Sequence, residues 1–189
     1  FEYAHLAARY GRNVTIVHRS AAVLKKFDPD LVALLVQASE KLGITVATNQ
    51  RLVRVEKKKD ELLVIVETEG GEEEYHADMV VHGAGRVPDI ADLNLNAAGI
   101  EASQDGVVVN EYLQSISNPR VYAAGDAAAG GMPLTPVAML EGGVAAANLV
   151  YNLKRRRSDY RVVPSVVFTL PKLASVGLQE AEASAQGLQ

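Results

Sequence analysis

The sequence predicts an α/β fold with a parallel sheet and a three-stranded antiparallel meander attached to it. Three observations carry this. Helix-length segments alternate with short β-branched runs through residues 1–47. Three longer runs separated by charged or Gly-containing turns then occupy residues 52–76. Continuous apolar stretches at 78–82 (DMVVH) and 121–124 (VYAA) each lead into a glycine, as buried parallel strands do when they feed a ligand-binding loop.

Residues 1–10 (FEYAHLAARY) read as a helix, with Phe1, Ala4, Leu6, Ala7 and Ala8 as its apolar face and Gly11 as its stop. No capping residue precedes it, so the expectation is a chain that starts inside a larger protein. Residues 14–17 (VTIV) form a short buried strand. Asp28 is placed to cap a helix with Pro29 at its first position, and the helix runs over 31–42 to a stop at Gly43. Residues 44–47 give a second buried strand. The runs 52–56, 62–67 and 73–76 are the meander, with Lys57 to Lys59 in a solvated turn. Residues 78–82 return to the parallel sheet and end in Gly83-Ala84-Gly85-Arg86. Residues 90–96 are a connector, 106–110 hold a short strand, and Asn118-Pro119 is a turn. After strand 121–124 come Gly125-Asp126 and an Ala- and Gly-rich loop; Thr135-Pro136 then opens a small-residue helix over 137–151. A charged link at 154–157, a strand at 164–170 (PSVVFTL) and a helix at 179–186 complete the chain.

Composition excludes several classes. The 189 residues are 48% hydrophobic and 22% charged, which argues against wholesale disorder. A net charge of −4 supplies no global basic field for nucleic acid or an anionic membrane. With no cysteine, this chain holds no disulfide, thiolate metal site or cysteine nucleophile, and no metal is expected. No run approaches the roughly 20 apolar residues of a membrane span, and no secretory signal opens the chain. The expectation is a soluble, cytoplasmic protein.

Four places carry chemistry. Gly125-Asp126 lies at the carboxyl end of a strand, where a carboxylate can accept hydrogen bonds from ligand hydroxyls; the same dipeptide also makes ordinary turns. In Leu134-Thr135-Pro136-Val137, Thr135 can cap a helix whose first amides form a site for partial negative charge, and the small residues behind it also suit a close-packed structural helix. Gly85 and Arg86 end another strand, with a planar donor fork suited to phosphate or ribose oxygens; a surface arginine in a turn is the plain alternative. At the end of strand 14–17, where a dinucleotide fold meets the adenosine ribose, stand His18, Arg19 and Ser20, with Lys25 and Lys26 nearby and no acid. Basic residues there accommodate a 2′-phosphate, or they are solvated loop charges.

Taken together, segments 1–20, 79–89 (MVVHGAGRVPD), 119–126 (PRVYAAGD), 134–138 (LTPVA) and 164–177 resemble, in order and spacing, the pyridine nucleotide-disulfide oxidoreductases. That family includes glutathione reductase, dihydrolipoamide dehydrogenase and mercuric reductase. The resemblance implies incomplete Rossmann-like FAD- and NAD(P)-binding domains followed by the start of an α+β dimerisation domain. Residues 1–86 would be the NAD(P) domain without its first strand and Gly-rich loop, 87–161 the second FAD segment, and 162–189 the opening of the interface domain. The redox cysteine pair and the first FAD loop would lie upstream, and the partner-serving His–Glu pair downstream.

The implied roles follow the matching positions. Asp126, after Gly125, would bind the FAD ribityl chain. Leu134, Thr135, Pro136 and Val137 would present the helix opening to the flavin O2 edge, in a cavity shared with Asp126. Glu2 would act on the flavin N5 side and pair with a lysine of the absent segment. Gly85 and Arg86 would line the nicotinamide nucleotide, and Val166 would lie near its ring. Arg19, with His18 and Lys25, would hold the 2′-phosphate, making NADP the cofactor beside FAD, with NAD as the alternative. Gly143 departs from relatives that carry Arg there, which puts a surface contact in doubt.

The function so implied is hydride transfer from NADPH to FAD and on to a disulfide or similar small-molecule acceptor, in a homodimer formed through the C-terminal domain. The chain alone is expected to be inactive. A nucleotide-binding or assembly module without turnover, or a flavoprotein using NADH and a non-disulfide acceptor, is the rival reading.

Overall fold

Asp28 starts the first long helix as its side chain permits: Oδ1 accepts from the amides of Asp30 (2.9 Å) and Leu31 (3.3 Å), with Pro29 at the first helical position. The computed structural model describes residues 1–151 and 156–188 and divides into two compact units, residues 1–82 with 164–189, and residues 83–163.

In the first unit, helix α1 (Glu2–Arg9) leads into strand β1 (Val14–Val17), helix α2 (Pro29–Lys41) and strand β2 (Ile44–Ala47). Strands β1 and β2 pair in parallel, Val14 opposite Ile44 through Val17 opposite Ala47. Strands β3 (Arg51–Lys57), β4 (Leu62–Thr68) and β5 (Gly71–Ala77) form the antiparallel meander, with β4 in the centre. Burial follows that order: Leu63, Val64, Ile65 and Val66 of β4 are buried, while every residue of β3 is at least partly exposed. Late in the chain, β8 (Ser165–Val167) and β9 (Leu173–Ser175) pair antiparallel, and α4 (Glu180–Ala185) follows. Val167 and Leu173 pack with Val23, Val32 and Leu35, so the core of this unit joins α2 to residues from the far end of the sequence.

The second unit holds two 3-10 turns (Ala91–Leu93, Leu95–Ala98), the small ladder β6 (Ala102–Ser103) with β7 (Gly106–Val107), a third 3-10 turn at Gly125–Ala127, and α3 (Thr135–Tyr151). The buried residues of α3 are Val137, Glu141, Val144, Ala145 and Asn148, a stripe at helical spacing. Val144 and Ala145 pack with Leu113.

Several expectations need correction. Residues 78–82 do not join a sheet: they pair with no strand among the described residues, and Met79 and Val81 are 66% and 50% exposed. Residues 121–124 make only an isolated bridge, Tyr122 with Gln114. A parallel strand needs a neighbouring strand to satisfy its backbone, and the described parallel sheet consists of β1 and β2 alone. The strands expected at 106–110 and 164–170 shorten to 106–107 and 165–167, and β9 was not foreseen. On α1 the buried face is Ala4 and His5, with Leu6 61% exposed. Thr135 is the first helical residue of α3 rather than its cap, because the carbonyl of Leu134 accepts from Ala138.

In the charged link, Lys154 and Arg155 lie outside the described residues, while the main chain of Arg156 is held by the Asn148 amide through two hydrogen bonds (2.7 and 2.9 Å).

Candidate functional site

In the second unit, Gly125 supplies a φ of +62°, a conformation suited to glycine, and turns the chain out of the extended residue Ala124. The turn sits against the opening of α3: a Cβ built on Gly125 would lie 2.8 Å from the Ala138 Cβ. The Gly125 amide donates to Glu141 Oε2 (2.6 Å), and the Tyr160 hydroxyl donates to Glu141 Oε1 (2.6 Å). Glu141 is wholly buried. Burial and the neighbouring Glu141 carboxylate both push the Tyr160 hydroxyl pKa up.

Asp126 is thereby the exposed residue of a turn whose backbone is fixed from behind. Its Oδ2 accepts from Arg86 (2.6 Å), in an ion pair open to solvent on both sides. Among the described residues its Oδ1 has no partner. Thr135 and Pro136 are exposed and the Val137 side chain is buried. The amides of a helix's first turn have no intrahelical acceptors, and Pro136 contributes none. Gly85 stands beside Arg86 in exposed chain, at a φ of +105° that suits glycine.

A cavity of about 400 Å³ in this unit is lined by Glu141, Tyr160, Ser158 and the 128–131 loop among others. Neither Asp126 nor Thr135 borders it, so it differs from the cavity that the sequence led us to expect.

The first unit carries the other expected residues. His18 ends β1's extension: its amide donates to Ala47 O and its ring Nε2 to Ala22 O (3.1 Å). Arg19 and Lys25 are exposed, and among the described residues neither meets a carboxylate. Glu2 Oε1 accepts from the Phe168 amide (2.7 Å). The structure thus brings Glu2 to the chain just beyond β8, on which Val166 is 38% exposed. One helical turn on, His5 is 3% exposed. Its Nδ1 accepts from the Leu170 amide (3.4 Å), and its Nε2 donates to Ser39 Oγ (2.9 Å), which donates to Leu35 O (2.8 Å). Burial, followed by the nearby positive charges, lowers the His5 pKa.

Sequence reasoning missed Glu141, Tyr160 and the pairing of Arg86 with Asp126. A signal for Glu141 was present: it is the lone charged residue between Thr135 and Tyr151, and it falls on the apolar stripe. The pairing joins residues 40 apart, which no local pattern encodes.

Residues 1–142 match the family described as pyridine nucleotide-disulphide oxidoreductase. The chain belongs to that family. Mercuric reductase of Staphylococcus aureus is 36% identical over 187 residues, which are 98% of this chain and 34% of that protein. Dihydrolipoyl dehydrogenase of Thermus scotoductus is 37% identical over 188 residues, 98% of this chain and 40% of that protein. Among solved structures, the Cu(II) complex of the HOCl-induced flavoprotein disulfide reductase RclA from Escherichia coli aligns with a TM-score of 0.83 at 25% identity. That alignment covers 97% of this chain and 41% of the solved one. The chain therefore spans well under half the length of these relatives.

The donor set fits the FAD of such flavoproteins. An exposed carboxylate with one open oxygen can accept from sugar-alcohol hydroxyls, and the opening of a 17-residue helix offers N–H groups to a carbonyl edge. No helix among the described residues is long and apolar enough to cross a membrane.

Proposed function

We propose that this chain is part of an FAD-dependent NAD(P)H oxidoreductase of the disulfide-reductase type, with NADPH as donor and a disulfide or similar small molecule as acceptor. The observation that carries the reading is the Gly125–Asp126 turn, seated on the opening of α3 with its carboxylate exposed, in a member of this family. FAD, when bound, supplies the redox chemistry between nicotinamide and acceptor.

The chain's own residues bind and orient. Asp126 accepts from ribityl hydroxyls through Oδ1. The amides of Thr135 and Val137 favour negative charge on the flavin's carbonyl edge. Arg86, already an ion-pair donor, screens Asp126 and offers its remaining N–H groups to the nucleotide. Glu2 acts on the flavin N5 side, and Val166 lies near the nicotinamide ring.

The preference for NADPH rests on Arg19 and Lys25, exposed cations after β1 that meet no carboxylate among the described residues. In the proposed organisation, residues 1–86 serve NAD(P), 87–161 serve FAD, and 162–189 open a dimer-forming domain of a cytoplasmic homodimer.

The test is Arg19→Glu in the flavin-loaded protein, with NADPH and NADH affinities measured separately. NADPH binding should weaken tenfold or more while NADH binding changes less than about twofold, since one charge-assisted phosphate contact contributes about 1.5–3 kcal/mol. Equal losses for both nucleotides would remove the case for phosphate recognition and leave NADH as the donor.

A further inference from the structure

We infer that Glu141, braced by Tyr160, is a positioning residue that sets Asp126 for the flavin. The inference rests on the reading of Asp126 as an FAD contact and goes beyond it by assigning what aims that contact.

Glu141 is a wholly buried carboxylate on an otherwise uncharged helix. Burying a carboxylate carries a large desolvation penalty unless hydrogen bonds replace the lost water. Both oxygens are engaged here, each at 2.6 Å: Oε2 with the Gly125 amide and Oε1 with the Tyr160 hydroxyl. Such short contacts are characteristic of charge-assisted bonds. The Gly125 amide is the backbone donor directly preceding Asp126, in a residue held at φ +62°. Close packing against Ala138 fixes the turn from one direction, and the Glu141 bond fixes it from another. Asp126 therefore projects from a backbone with little freedom, and its carboxylate spends little conformational entropy on binding. Glu141 itself is buried and bonded inward, so it acts through the turn and not on the ligand.

The test measures FAD dissociation constants by flavin fluorescence in the full protein, for Glu141→Ala, Glu141→Gln and Tyr160→Phe, each with Asp126 intact and with Asp126→Ala. Glu141→Ala should weaken FAD binding tenfold or more. Glu141→Gln keeps an acceptor for Gly125 and an amide group for Tyr160, and should recover most of the affinity. Tyr160→Phe should cost two- to fivefold. In the Asp126→Ala background all three changes should shrink to within about twofold, because the residue through which they act is gone.

Full additivity with Asp126→Ala would overturn the inference and leave Glu141 a stability residue. So would a Glu141→Ala protein with lower unfolding midpoint but unchanged FAD affinity. Should Glu141→Ala not fold, the Tyr160→Phe cycle decides by the same criterion. If Asp126→Ala alone leaves FAD affinity unchanged, the underlying reading of Asp126 fails, and with it this inference; that outcome is distinct from Asp126 mattering while Glu141 does not.

Discussion

At the residue scale, Gly125 shows how one missing Cβ shapes a site. Its φ is positive and its neighbour Ala138 leaves no room, so Gly125→Ala combines backbone strain with a steric conflict. We expect a loss of about 2 kcal/mol or more in unfolding free energy, read from urea titration, together with weakened FAD retention. A variant as stable as the parent would show that the turn relaxes easily. The Gly-Asp pair was legible as a candidate from its place after an apolar run. The conformation that makes glycine necessary was not, because it depends on α3 folding back against the turn. Glu141 was readable only as an oddity of composition. Its two partners lie 16 and 19 residues away, beyond any helical or strand period.

At the element scale, local rules worked where an element carries its own signals. The cap at Asp28, the stop at Gly43 and the alternation through β3 to β5 placed α2 and the meander close to where they stand. They failed for residues 78–82 and 121–124, whose continuous apolar runs report burial without saying against what. In the first of these runs even the burial fails, with Met79 and Val81 exposed. His5 belongs to this scale, since it joins α1 to α2 through Ser39 and to the segment after β8 through Leu170. Its folded pKa is lowered, so the unfolded chain binds the proton more readily. Its contribution to stability is thus complete above about pH 6.5 and declines as pH falls through the folded pKa. Urea midpoints taken at about pH 7.5 and about pH 5.5 should fall on acidification, and should fall less in His5→Asn. Glu56 and Asp159, both held near pH 2 by hydrogen bonds from basic neighbours (Lys58 then Arg54, and Arg161), titrate well below that window. An identical pH response in His5→Asn would locate the acid sensitivity elsewhere.

For the whole molecule, the absence of cysteine sets the strongest limit. Residues 1–189, mixed with NADPH and FAD, should oxidise NADPH no faster than free flavin does, followed through the nicotinamide absorbance. Sustained turnover above that control would mean that these residues suffice without the thiols of a disulfide reductase. The family was legible in full because five modest motifs kept their spacing across almost the entire sequence; each alone was weak. The unit boundaries were harder to see, since residues 164–189 gather with residues 1–82 rather than forming a body of their own. Glu2 and His5 stitch the first helix to Phe168 and Leu170, partners 166 and 165 positions along the chain. On a ribosome, that seam cannot close until residues 168–170 have been made, so the first helix waits for its partners while the intervening chain is synthesised.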